Sequence, residues 1–252
     1  MRKPLSLITA LLLSTTLILS GCARNTLPSG DKQSSNVENA TVQQVIAVPV
    51  YKRTEIISSP DEAKQLLIDG NGRFTSGKLL SKDLSFTRRD DLMRNGQHPF
   101  AVIVSCSDSR VPPELLFDQA LGDLFVVRVA GNVVTPVELG SIEYAVEHLK
   151  TPLVVVLGHE ECGAVTATVQ GGEIHGSIGA IIQKIKPSVD RAQSMGIAGK
   201  DLIEMSIELN IQNALRDISK SPIIKEGVEV NQVKIIGIKY DLDDGILKFI
   251  NE

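Results

Sequence analysis

Two unbroken apolar runs, Ala101–Ser105 (AVIVS) and Leu153–Leu157 (LVVVL), limit what this chain can become. A strand wetted on one face alternates apolar and polar residues. A run without alternation has both faces covered, as in parallel sheets with helices on either side. Leu124–Val129 (LFVVRV) is a third strand segment, and Gly131-Asn132 a turn after it. Val233–Tyr240 and Ile246–Ile250 flank Asp243-Asp244-Gly245, the signal of an antiparallel hairpin.

Helix signals lie between the strands. Pro112-Pro113 opens a short helix, and Pro136 opens a longer one with Val137, Ile142, Ala145, Val146 and Leu149 apolar. Cys162 opens another that ends at Gly171-Gly172. Two more cover Ser177–Ala192 and Asp201–Ser219, the second striped by Leu202, Met205, Leu209, Ala214, Leu215 and Ile218. Upstream, Ser59-Pro60-Asp61 reads as a helix start, with Ala63, Leu66, Leu67 and Phe74 on one face; Leu92 and Met93 mark a second short amphipathic stretch. The expected fold is α/β: a mainly parallel β-sheet flanked by helices, with an N-terminal helical arm and a C-terminal antiparallel hairpin, in one domain over 59–252.

The segment before that domain has a different character. Arg2 and Lys3 precede a mainly apolar stretch from Leu5 to Leu19, and small Ser20 and Gly21 follow, so 1–21 reads as a secretory signal. Leu19-Ser20-Gly21-Cys22 resembles a bacterial lipobox, in which Cys22 is lipidated and becomes the mature N-terminus. Polar, patternless residues from Ala23 to about Val48 make 22–58 a tether. The expected location is a membrane-anchored lipoprotein facing the periplasm or cell exterior. Without Arg2 and Lys3 the chain has 24 basic and 30 acidic residues, a formal charge of −6, and no Lys/Arg cluster. No nucleic-acid partner is expected from such a chain.

Chemistry concentrates in two loops that follow the unbroken runs. Cys106-Ser107-Asp108-Ser109-Arg110 follows one strand; His159-Glu160-Glu161-Cys162 follows the other, behind Gly158. Parallel strands deliver their following loops to one edge of the sheet, so Cys106, His159 and Cys162 are expected to converge. Two thiolates and an imidazole suit Zn²⁺, and a helix start favours the Cys162 thiolate. Asp108 is a candidate for the fourth zinc position, or for a partner of whatever occupies it; Arg110 is placed to pair with Asp108. In an exported chain the plain alternative is a Cys106–Cys162 disulfide beside a core histidine, in a non-catalytic lipoprotein. Arg128, inside an apolar strand, needs a carboxylate or carbonyl partner if buried, in a structural or subunit-contact role.

The pair Cys-Ser-Asp-Ser-Arg and Gly-His-x-x-Cys-Gly resembles the β-class carbonic anhydrases, from about Ser59 to the C-terminus. The resemblance implies reversible hydration of CO₂ to bicarbonate and a proton by zinc-bound hydroxide. It implies Cys106, His159 and Cys162 as zinc ligands, joined by Asp108 only in a closed state, and Asp108 with Arg110 as a catalytic dyad. Gln97 matches a glutamine that donates to a substrate oxygen. Phe125, Ala130, Tyr144 and Gly163 fall where the family builds its CO₂ pocket, partly from a neighbouring subunit, in a homodimer or tetramer. Ile103 stands where a regulated subgroup has tryptophan, so that switch is expected to be absent; Glu160 and Gly163-Ala164 also depart from common family residues. Two thiolates donate more charge than imidazoles, which predicts an alkaline pH preference. His98, His148 and His175 are open to proton-shuttle or plain surface roles. CS₂ or carbonyl sulfide hydrolysis on the same scaffold is an alternative reading.

Overall fold

A computed structural model describes Val50, Tyr51, Arg53 and residues 56–250. The signal segment, Cys22 and most of the tether lie outside the described residues. Five strands form the main sheet: β3 (Ala101–Ser105), β4 (Leu124–Arg128), β5 (Leu153–His159), β6 (Lys234–Tyr240) and β7 (Leu247–Ile250), after two short strands, β1 (Val50–Tyr51) and β2 (Ser81–Lys82), which pair with each other in parallel. The spatial order is β4-β3-β5-β6-β7. All pairings are parallel except β6 with β7, the expected hairpin.

Side-chain parity along the central strands divides the core into two layers. Val102, Val104, Val154 and Val156 face one layer, with α4 (Pro136–Glu147), α5 (Gly163–Gln170), α6 (Ile178–Ser194), α7 (Gly199–Ser219) and α8 (Pro222–Glu229). Ala101, Ile103, Leu153, Val155 and Leu157 face the other, with α1 (Pro60–Thr75) and α3 (Pro113–Leu116). Every residue of β3 and β5 is buried, which accounts for the missing alternation. Ser59 caps α1 through its side chain, with Pro60 in the first turn. Thr135 and Glu138 form a capping box at α4.

Three elements differ from the sequence expectation. The fold reaches back before residue 59, because β1 joins β2 and Arg53 donates to Asp123 at 3.0 Å. The stretch at Leu92 and Met93 is a helix, α2 (Phe86–Asn95), yet none of its residues is buried and Met93 is 72% exposed. Helix α8 was not expected; Ser221 caps it, and Ile224 is fully buried under it.

The connection from β3 crosses on one face to β4, whereas that from β5 runs on the other face through four helices to β6. Loops leaving β3 and β5 therefore diverge, and a crevice opens between these neighbouring strands at their C-terminal ends. Helix α7 fixes the wall of that crevice. A Cβ on Gly158 would lie 2.7 Å from both Cγ1 and Cδ1 of Ile211, so glycine lets α7 sit directly on β5. Gly158→Ala is expected to destabilise by about 2 kcal/mol and to lower Tm by about 4–8 °C. In a thermal-melt double-mutant cycle with Ile211→Ala the two costs should be less than additive; full additivity would remove the collision from the explanation.

Candidate metal centre

Register puts the ligand candidates side by side. Ser105 pairs with Leu157, so Cys106 leaves β3 level with Gly158, one residue before His159. Cys162 caps the N-terminus of α5 and turns back toward the same point. One donor atom from each of Cys106, His159 and Cys162 falls within a sphere of mutual distances below 4.8 Å, and all three residues are buried. Both cysteines are free thiols, not a disulfide.

The polar partners aim these donors inward. His159 Nδ1 lies 2.7 Å from the Glu160 carbonyl oxygen and donates to it, which leaves the Nε2 lone pair facing the thiols. That Nε2 is buried without a hydrogen-bond partner. Hydrogen bonding from the Cys162 thiol holds Cys106 down to about 4 despite burial, with the Gly131 N–H adding to the effect. Cys162 is pushed well above the ordinary thiol range by the adjacent Cys106 and by burial, although the Val165 and Ala164 N–H groups of α5 oppose this. The expected helix advantage for the Cys162 thiolate is thus outweighed by its neighbour when no cation lies between them. An unsatisfied buried imidazole nitrogen beside a proton-sharing thiol pair fits a soft divalent ion. The donor set is the N/S set of zinc.

Asp108 does not join the three donors. Arg110 grips it with Nε at 3.0 Å and Nη2 at 2.8 Å, one to each carboxylate oxygen, and adds its backbone N–H at 2.9 Å. This fork, with the Arg110 backbone N–H, brings Asp108 down to about 2. Its Oδ2 stands 3.8 Å from His159 Nε2, at the mouth of the cluster. The closed arrangement with Asp108 on the metal is not the one seen. Arg128 braces the same loop: its Nε donates to the Cys106 carbonyl at 3.0 Å and its Nη2 to the Asp108 carbonyl at 2.6 Å. Arg128 is exposed within one chain, so burial does not demand these partners, which are both backbone carbonyls.

The pocket candidates separate into two groups. Ala130 lies in a 3-10 turn (Ala130–Asn132) whose Gly131 N–H donates to Cys106 Sγ at 3.3 Å, and Gly163 starts α5 beside Cys162. Both belong to the crevice. Gln97 is exposed and precedes β3, at the opposite edge of the sheet, about 16 Å away along a five-residue strand. Phe125 near the start of β4 and Tyr144 near the end of α4 form a ring pair, centroids 6.3 Å apart, at that same far edge. Within one chain these three do not line the zinc crevice. His98 and His148 also lie at the far edge, preceding β3 and β5, and His175 is exposed beyond α5.

Two groups escaped sequence reasoning. The Glu160 carboxylate accepts the N–H groups of Leu242 (2.6 Å) and Asp243 (3.2 Å), tying the residue after the metal-facing histidine to the β6–β7 turn. Asn210 of α7 donates to the Gly131 carbonyl at 2.7 Å. Neither has a local sequence signal.

Comparison with known proteins agrees with this geometry. The sequence model described as carbonic anhydrase matches residues 101–247. A carbonic anhydrase of Mycolicibacterium smegmatis is 41% identical over 193 residues, 75% of this chain and 92% of the relative. Carbonic anhydrase 2 of Mycobacterium tuberculosis is 39% identical over 75% of this chain and 91% of its own. The structure of a Coccomyxa β-carbonic anhydrase in complex with acetazolamide superposes with a TM-score of 0.59 at 26% identity, covering 76% of this chain and 82% of that one.

Proposed function

Since the chain belongs to the β-class carbonic anhydrases, zinc enzymes that hydrate CO₂ reversibly to bicarbonate and a proton, we propose that Cys106, His159 and Cys162 hold its zinc and that Asp108 and Arg110 direct the reaction beside it. The observation that carries this reading is the convergence of three buried donors, one an unpartnered imidazole nitrogen, on one point. Zinc supplies the Lewis acidity that makes water a nucleophile near neutral pH.

The chain's own residues supply the rest. Asp108 stays ionised because Arg110 neutralises and grips it, and the same grip keeps it off the metal. From the mouth of the cluster it accepts a hydrogen bond from the attacking water and sets the direction of attack. Ala130 and Gly163 leave the crevice wall small enough for CO₂. The relatives are carbonic anhydrases, which favours CO₂ over CS₂ or carbonyl sulfide.

Gln97, Phe125 and Tyr144 take part only if a second copy presents its far strand edge to this crevice. The face to do so is available: no residue of α2 is buried in one chain, and Phe86, Met93, Val137 and Tyr144 are exposed. A homodimer or larger even assembly follows. The N-terminal signals support export and lipidation at Cys22, with a tether holding the enzyme at a membrane facing the periplasm or cell exterior. On expression in a bacterium, mature protein should enter the membrane fraction with a diacylated N-terminus. Cys22→Ser should release it; a soluble, unmodified wild type would refute the anchor.

The direct test is stopped-flow CO₂ hydration with zinc measured on the same sample. About one zinc per chain and fast hydration rising toward alkaline pH are expected. Zinc without hydration would refute the assignment of Asp108 and Arg110; no zinc would refute the metal site.

A further inference from the structure

Gly131 is held by two contacts, one on each of the peptide units that flank its Cα, and the first of them ends on the Cys106 sulfur. Its N–H donates to Cys106 Sγ at 3.3 Å, and its carbonyl accepts from Asn210 Nδ2 at 2.7 Å. Gly131 itself is left-handed, φ 72 and ψ 18. A Cβ there would lie 2.7 Å from Ile185 Cδ1 and 3.2 Å from Ala164 Cβ. So position 131 accommodates no side chain of its own, and the turn is tied from outside. Asn210 is that tie. It is 3% exposed in the middle of α7, where an unpaired amide is costly, and its amide reaches 79 residues back in sequence to this one carbonyl.

We infer that Asn210 is a positioning residue for the metal centre: by anchoring the Gly131 carbonyl it holds the left-handed turn at Gly131, and through that turn keeps the Gly131 N–H of the preceding peptide on the Cys106 sulfur, and so sets how strongly that thiolate donates to the ion. This rests on the assignment of zinc to Cys106, His159 and Cys162. An N–H on a thiolate withdraws charge from sulfur, and partners of this kind tune metal affinity as well as orient the ligand. Losing Asn210 frees the turn to rotate, weakens the N–H contact and leaves a more electron-rich, less well-aimed sulfur. Helix α7 also rests on Gly158, next to His159, so one helix sets the environment of two ligands.

The test compares wild type with Asn210→Asp, which keeps the shape but loses the donor, and Asn210→Leu, which removes the polar group without burying a charge. Each protein is loaded with zinc for chelator competition and with cobalt for absorption spectroscopy. Expected is about tenfold weaker zinc retention and a sulfur-to-cobalt charge-transfer band moved to longer wavelength. Ser206→Ala, a buried change one turn away on the same helix, should leave the band in place. If Asn210→Asp does not fold, Asn210→Leu carries the comparison. A folded Asn210 variant with lower Tm but wild-type band and affinity would overturn the inference and leave Asn210 a plain packing tie. Failure of the wild type to load either ion would overturn the zinc assignment beneath it.

Discussion

Cys162→Ser is expected to yield a folded protein that has lost its zinc and hydrates CO₂ at the uncatalysed rate. Apparent zinc free energies of about 10–16 kcal/mol shared over four ligands put one thiolate near 3 kcal/mol, more than a hundredfold in affinity. The serine hydroxyl is neutral at the pH of assay and a poor replacement for thiolate. Cys162 sits at the helix cap, at the rim of one apolar layer, and serine is close to it in size, so the layers keep their packing. Metal analysis, circular dichroism and stopped-flow rates on one preparation check the three parts together. A zinc-free variant that retained full activity would refute the metal reading outright.

Asp108→Asn is expected to keep zinc and lose about 10²–10³ in kcat/KM. The amide fills the same space, but Arg110 then faces a neutral group and the crevice mouth loses its anion. The wild-type pH dependence separates Asp108 from other groups. Its ordinary value is near 3.8, and Arg110 brings it to about 2 in the fold. Because the folded value is depressed, the stabilising effect of the clasp is complete above about pH 4. It disappears only as pH falls toward 2. Activity lost between pH 8 and 5 therefore does not arise from protonation of Asp108. A variant with a rate near wild type would reduce the clasp to a loop brace.

Much of the site was legible because its chemistry rides on elements with strong signals. Unbroken apolar runs fixed β3 and β5 as buried parallel strands, and parallel strands place Cys106 and His159 at the same edge. Gln97, Phe125 and Tyr144 were harder. Resemblance gave Gln97 a substrate oxygen and gave Phe125 and Tyr144 places in a pocket built partly by a neighbouring subunit. Within one chain Gln97 before β3, Phe125 near the start of β4 and Tyr144 near the end of α4 lie across the sheet from the crevice. Helix α8 was missed because Ser221-Pro222 follows α7 with a single residue between and Gly227 interrupts its short pattern. The strands β1 and β2 are two residues each, too short for any periodicity. Asn210 shows the deeper limit. A polar residue in a helix is ordinarily solvated, and only the packing of α7 across the sheet reveals that this one is buried.

The long crossover from β5 to β6 also orders events in time. β3, β4 and β5 lie close in sequence, with 18 residues between Ser105 and Leu124, whereas 74 separate His159 from Lys234. Two doublings of loop length add about 1.2 kcal/mol to closure, so β6 and β7 are expected to join after β3, β4 and β5 have paired. All three ligands fall within residues 101–162, inside or directly beside that half-sheet. The nascent chain would thus carry all three proposed zinc ligands before its hairpin docks. Capture of the ion at that stage would shield both thiols from oxidation ahead of the final fold.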